Sequence, residues 1–288
     1  MALPGGGDGS VCDQLRIGAV SYLNARPLCD RLVELDAGVE LHLDYPSVLA
    51  SMLARGELDA AMIPSVEYLR GCAAGADYRV VPGVAIATRG PVRSVKLLTR
   101  VPFKEIRSLA LDQGSRTSQV LAQIWLAERF QVRPSRLEVL DLGASPLESR
   151  SDAVLVIGDR AMTVRDESFL NVIDLGQAWK ELTGLPFVFA FWVLRSGVDQ
   201  SRLVELFQRA RDEGLRRVRE IAADAAVRLG FDPDYCHEYL TRNLSYDLNA
   251  SEIAGFRLFA EKAAALGLAP EGVRLVFAED QLHPATRD

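Results

Sequence analysis

Short apolar runs alternate with helical spacings through the first two thirds of the chain. Runs with strand character lie at 17–20, 60–63, 80–86, 95–98, 109–111, 137–140, 154–157 and 188–194. Between them, 46–55 sets Val48, Leu49, Met52 and Leu53 on one helical face, and 117–130 repeats Val120, Leu121, Ile124, Trp125, Ala127 and Phe130. This alternation predicts an α/β protein with mainly parallel sheets. The last third changes character. A long, highly charged helical pattern covers 201–229, and further helices are expected at 234–241 and 251–266, the last with Asn249 as its capping residue. Acidic residues are interleaved with the arginines of 211–220, so that face reads as solvated surface.

Two apolar strands end in basic and turn residues and look like crossing points: 94–100 (SVKLLTR) and 187–195 (FVFAFWVLR). A βαβαβ block fills the interval. A chain that leaves one lobe, builds a second and returns makes two lobes with a cleft between them. The expected division is 15–98 with 190–288 as the first lobe, carrying the C-terminal helices, and 99–189 as the second. Residues 1–14 read as an extension before the first strand. Ligand sites favour such interfaces.

Composition narrows the function classes. Of 288 residues 49% are hydrophobic and 25% charged, which suits a globular protein with a sizeable core. The net charge, 33 − 39 = −6, lacks the basic footprint of a nucleic-acid binder. No apolar run is long enough for a membrane span. The start, MALPGGGDGSVCDQL, has neither the basic nor the apolar region of a secretory signal, so a cytoplasmic protein is expected. Cys12, Cys29, Cys72 and Cys236 form no CxxC pair, and His42, His237 and His283 are far apart. No metal site is expected from that spacing, and the thiols read as reduced.

Five loops concentrate polar residues. In LRIGAVSYLNARPL (15–28), Ser21, Tyr22, Asn24 and Arg26 follow the first strand, where ligands sit in open α/β sheets. Asn24 can donate and accept; Arg26 either binds a carboxylate or pairs with a surface acid. Ser65, after the strand at 60–63, is a plain helix cap or a cap that also faces the cleft. Ser115, Arg116, Thr117 and Ser118 crowd a helix N-terminus, where free N–H groups and the helix dipole favour an anion. The spacing is not that of a P-loop and suits a carboxylate. Gly158-Asp159 opens another helix, with Asp159 a cap or a ligand contact. Ser94, in the turn 88–95, is placed at the cleft floor, and no GxSxG surrounds it, so a hydrolase triad is poorly supported.

RIGAVSYLNARPL, DAAMIPSVEYL, GPVRSVKLLTR, LDQGSRTSQVL, VLVIGDRAM and WKELTGLPFVFAFWVLR occur in that order over about residues 15–195. Together they resemble the chorismate dehydratase family of the futalosine route to menaquinone. The resemblance implies a two-lobed fold like type II periplasmic binding proteins and a cytoplasmic enzyme with no metal or organic cofactor. The implied reaction takes chorismate to 3-[(1-carboxyvinyl)oxy]benzoate and water. It points to Asn24 and Ser94 as catalytic. Tyr22, Ser65, Ser115, Arg116, Thr117, Ser118 and Asp159 are expected to bind the substrate. Two other readings share the fold: a non-catalytic solute binder for small anions, and the sister enzyme 1,4-dihydroxy-6-naphthoate synthase.

Overall fold

The structure is a computed structural model that describes residues 14–164 and 166–279. The extension expected at 1–14, with Cys12, lies almost wholly outside them, as does His283. The strands are β1 (Leu15–Val20), β2 (Val39–Asp44), β3 (Ala60–Pro64), β4 (Arg79–Thr88), β5 (Val95–Thr99), β6 (Ser108–Asp112), β7 (Arg136–Leu140), β8 (Ala153–Ile157), β9 (Asn171–Asp174) and β10 (Phe187–Leu194). The helices are α1 (Arg26–Cys29), α2 (Leu32–Leu35), α3 (Pro46–Arg55), α4 (Ser65–Ala73), α5 (Arg116–Phe130), α6 (Leu175–Thr183), α7 (Gln200–Arg216), α8 (Val218–Leu229), α9 (Pro233–Glu238) and α10 (Ala250–Ala265).

Two five-stranded sheets result, ordered β2-β1-β3-β10-β4 and β7-β6-β8-β5-β9. Their layouts correspond strand for strand. In each, the first strand runs parallel to both neighbours, as β1 does to β2 and β3 and β6 to β7 and β8. In each, the fourth strand runs antiparallel: β10 against β3 and β4, β5 against β8 and β9. The expectation of mainly parallel sheets therefore holds for the βα units and fails at the two crossing strands. A strand that arrives from the other lobe without a crossover helix can enter antiparallel. The expected boundary at 98/99 also shifts, because β5 belongs wholly to the second sheet. The chain changes sheets in the turn 89–94 and again before Phe187.

All eight residues of β10 are buried. A continuous apolar run fits a strand covered on both faces. Trp192 stacks on Phe207 of α7 at 4.0 Å between centroids, and Phe187 packs edge-on to Trp179 of α6 and Phe259 of α10. The C-terminal helices thus clamp β10. Gly214 lets α7 touch α1, since a Cβ there would lie 1.9 Å from the Pro27 carbonyl oxygen. Helix α10 packs on β10 and α4, and it also reaches the second lobe, where Lys262 Nζ meets Glu128 Oε2 of α5 at 3.0 Å. Asn249 and Glu252 form a capping box at its start. The single helix expected over 201–229 is two, broken at Arg217. Its arginines pair with neighbouring acids, Arg216 with Glu213 and Arg217 with Glu220, as a solvated face does.

Candidate functional site

The carboxyl ends of β1, β3, β6 and β8 converge on a cavity between the sheets. Ligand sites favour such clefts between lobes. Tyr22 and Asn24 enter from the loop after β1, Ser94 from the turn before β5, Ser115 and Ser118 from the start of α5, and Gly158 from the end of β8. Pro46, Pro64, Ile86, Val92, Phe189 and Ala190 supply much of the apolar wall. Among the described residues, no Asp, Glu, His, Lys or Arg lines it.

The SYLN loop places its side chains by alternation. After β1 the chain turns through a 3₁₀ segment, Leu23–Ala25, in which Leu23 and Ala25 are buried in the core. Asn24 between them faces the cavity, and its Oδ1 is buried without a hydrogen-bond partner among the described residues. An unsatisfied buried acceptor costs on the order of 1–3 kcal/mol, so such an atom calls for a partner that binds there. Tyr22 lies flat against Gly158: a Cβ on Gly158 would sit 2.7 Å from the ring, and its φ of +73° favours glycine independently. Burial, reinforced by the Asp112 charge, pushes the Tyr22 phenol well above its usual range, so it stays a neutral donor.

Ser94 is buried at the cavity floor. Its carbonyl accepts from Gly158 N at 2.9 Å, and its Oγ accepts from the Tyr239 hydroxyl at 2.8 Å. Ser115 is the N-cap of α5; its Oγ accepts from Ser118 N at 3.4 Å and lies 3.0 Å from Ser118 Oγ. Both hydroxyls stand beside the positive end of a fifteen-residue helix.

Four expected ligand contacts are not in the lining, and their side chains are engaged elsewhere. The Ser65 hydroxyl donates to the Val188 carbonyl of β10 at 2.8 Å, and Pro64 rather than Ser65 is the N-cap of α4. Thr117 Oγ1 accepts from Val66 N at 3.2 Å. Arg116 Nη1 meets Glu67 Oε2 at 2.5 Å and its Nη2 reaches Ser51 Oγ at 3.2 Å. Asp159 Oδ1 accepts from Leu23 N at 3.1 Å, and burial raises its carboxyl above the usual carboxylate range while that N–H acts against the rise. Four of these contacts cross the cleft: Thr117 to Val66, Arg116 to Glu67 and to Ser51, and Asp159 to Leu23. Arg26, the remaining cation of the first loop, pairs with Asp30 and so takes the second of its two readings.

Two supporting aspartates carried no distinguishing sequence signal. Asp112, fully buried, accepts from Gly114 N at 2.9 Å and Ile157 N at 3.0 Å and pairs with Arg160, which fixes the loop that carries Ser115. Asp174, the N-cap of α6, accepts from Val92 N at 3.0 Å and Arg93 N at 2.6 Å and fixes the turn that carries Ser94. Both are short-side-chain acids beside turns, a pattern found at ordinary caps throughout proteins.

Residues 15–265 match a family described as menaquinone biosynthesis. The chorismate dehydratase of Thermus thermophilus is 32% identical over 274 residues, which span 88% of this chain and 95% of that protein. The chorismate dehydratase of Campylobacter jejuni is 24% identical over 259 residues, 88% of this chain and 99% of that one. Among solved structures, the protein AF1704 from Archaeoglobus fulgidus superposes with a TM-score of 0.67 at 16% identity, covering 88% of this chain and 98% of that one. The alkanesulfonate-binding protein SsuA from Xanthomonas axonopodis, bound to MOPS, gives 0.64 at 18% identity, covering 90% and 95%. At such identities these structures show the fold alone: that of periplasmic binding proteins. No helix among the described residues is long and apolar enough to cross a membrane.

Proposed function

The chain belongs to the menaquinone biosynthesis family, and from that premise we infer that it is a chorismate dehydratase, an enzyme acting on a small molecule on a binding-protein scaffold. We assign it as a hydro-lyase that releases 3-[(1-carboxyvinyl)oxy]benzoate and water, working in the cytoplasm. The observation that carries the assignment is the uncharged cavity wall. Chorismate is a dianion, and this cavity meets it with hydroxyls, an amide and a helix N-terminus rather than with cations.

Among the described residues no carboxylate or imidazole lines the cavity, and the proton acceptor is assigned to the substrate. A ring C–H proton passes to the enolpyruvyl carboxylate. The electron pair of that bond becomes the new ring π bond while the adjacent C–OH bond breaks, and the departing hydroxide takes that same proton from the enolpyruvyl carboxylate to leave as water, which returns the carboxylate to its anionic form. Aromatisation drives the step, which leaves the protein the task of placement. Ser115 and Ser118 at the start of α5 are assigned to one carboxylate. The Asn24 amide and the Ser94 hydroxyl orient the enolpyruvyl carboxylate and the leaving hydroxyl. Tyr22 covers the ring and, with the cross-cleft contacts, excludes water.

The test is to mix purified protein with chorismate and follow products by chromatography and mass. Loss of one water with appearance of the enolpyruvyl benzoate is expected. Chorismate binding without turnover would replace the assignment with a solute binder.

A further inference from the structure

The turn that carries Ser94 is held from the C-terminal tail as well as from its own lobe. Arg93 has a φ of +61°, a left-handed conformation that strains a non-glycine residue and persists only where neighbours enforce it. Besides Asp174, which holds the Arg93 N–H, those neighbours lie in one short segment of the tail. The Arg93 guanidinium sits 5.1 Å from the Tyr235 ring centroid and 3.0 Å from Glu238 Oε1. Asn243 Nδ2 donates to the Pro91 carbonyl at 2.9 Å, and the Asn243 carbonyl accepts from Thr88 Oγ1 at 2.8 Å. The segment ends in a π-helical turn, Tyr239–Asn243, a rare geometry often found at functional sites. That turn brings Tyr239 Oη to within 2.8 Å of Ser94 Oγ, in a place where both side chains are buried.

We propose that Tyr239 is a positioning residue for the dehydration: its phenol donates to Ser94 Oγ, which leaves the serine's single proton to point into the cavity at the substrate oxygen. A serine hydroxyl has one donor and rotates to suit its surroundings. With its acceptor side occupied by Tyr239, rotation is restricted and the proton is directed away from the phenol. A hydrogen bond received by the serine also strengthens the one it gives. Burial raises the Tyr239 phenol far above its usual range, so it keeps the proton it donates. The residue acts through Ser94 and does not line the cavity.

The inference rests on the assignment of Ser94 to the reaction, and the experiment separates the two. Turnover of chorismate is measured for the wild type, Tyr239→Phe, Ser94→Ala and the double variant. Tyr239→Phe removes only the phenol oxygen and should lower kcat about 10- to 100-fold with KM within about a factor of two. The decisive comparison is the double variant, which should be no slower than Ser94→Ala alone, because the phenol has nothing left to orient. A merely structural tyrosine would slow the Ser94→Ala enzyme by the same factor as it slows the wild type, and that result overturns the proposal. So does a Ser94→Ala enzyme that retains wild-type turnover. In parallel, the 13Cζ resonance of Tyr239 is compared between wild type and Ser94→Ala in labelled protein without substrate. A shift is expected; an unmoved resonance rules out the hydrogen bond. Should the wild type release no product from chorismate, the assigned reaction fails, and the resonance alone decides whether Tyr239 holds Ser94.

Discussion

The wall of the cavity and its rim are built from opposite materials. The wall offers neutral groups, and one of them, Asn24 Oδ1, has no partner among the described residues. The rim is charged and its groups are satisfied: Asp159 holds Leu23 N, Arg116 holds Glu67, and Asp112 holds Arg160 with two backbone N–H groups. A charge taken out of water is costly without a partner, and each of these has one. The difference indicates which residues bring the lobes together and which are left free for a ligand. It also separates residues that a motif search treats alike, since Ser65 and Ser115 both stand at the start of a helix after a strand and only the second faces the cavity.

The largest effect should come from undermining rim and wall together. Asp112→Ala removes the acceptor of two backbone N–H groups and leaves Arg160 without its carboxylate. It should cost about 3 kcal/mol in chemical denaturation and reduce turnover as well. Asn24→Ala tests the wall alone. Turnover should fall by about 100-fold, as for removal of an active-site hydrogen-bonding group, with the thermal midpoint nearly unchanged. Unchanged turnover would deny Asn24 its role.

Asp159 sharpens the contrast through pH. Its carboxyl is raised by burial, so the folded state holds that proton more tightly than the unfolded chain does. Its contribution to stability therefore falls as pH rises from the usual carboxylate range through the raised folded value. Asp159→Asn, which keeps an acceptor for Leu23 N, should flatten that fall when denaturation is followed from about pH 3 to pH 7. Asp159→Ala should flatten the fall as well and, at the acid end of the range, lose about 1 kcal/mol, the worth of the hydrogen bond. The smallest effect is expected at Arg116→Ala, whose partly buried pair with Glu67 is worth about 0.5 kcal/mol. If the pair acts only as a cross-cleft latch, KM for chorismate should rise while kcat holds.

Much of the fold was legible because its strands are apolar on both faces. Eight runs read from hydrophobicity alone fall on β1, β3 to β8 and β10. The two strands that escaped notice are those with weak signals. Strand β2, VELHLD, is half-buried with three charged or titratable residues, and β9 is four residues with no fully buried position. The site was legible in part. Tyr22, Asn24, Ser94, Ser115 and Ser118 converge on one cavity as expected from their loops. The contacts of Ser65, Thr117, Arg116 and Asp159 join residues 49 to 136 positions apart, and no local pattern reports such pairs.

By itself the sequence determined the alternation of strand and helix, the two crossing strands and the polar loops at the strand ends. Those are properties of neighbours along the chain, set by hydrophobic period and turn chemistry. Tertiary structure alone decided which hydroxyls face the cavity, which way the crossing strands run, and that a tyrosine from the C-terminal tail meets Ser94 across 145 positions. A side chain's partner is chosen by whichever group the fold brings within about 3 Å, and that distance is settled only when the lobes and the tail have packed.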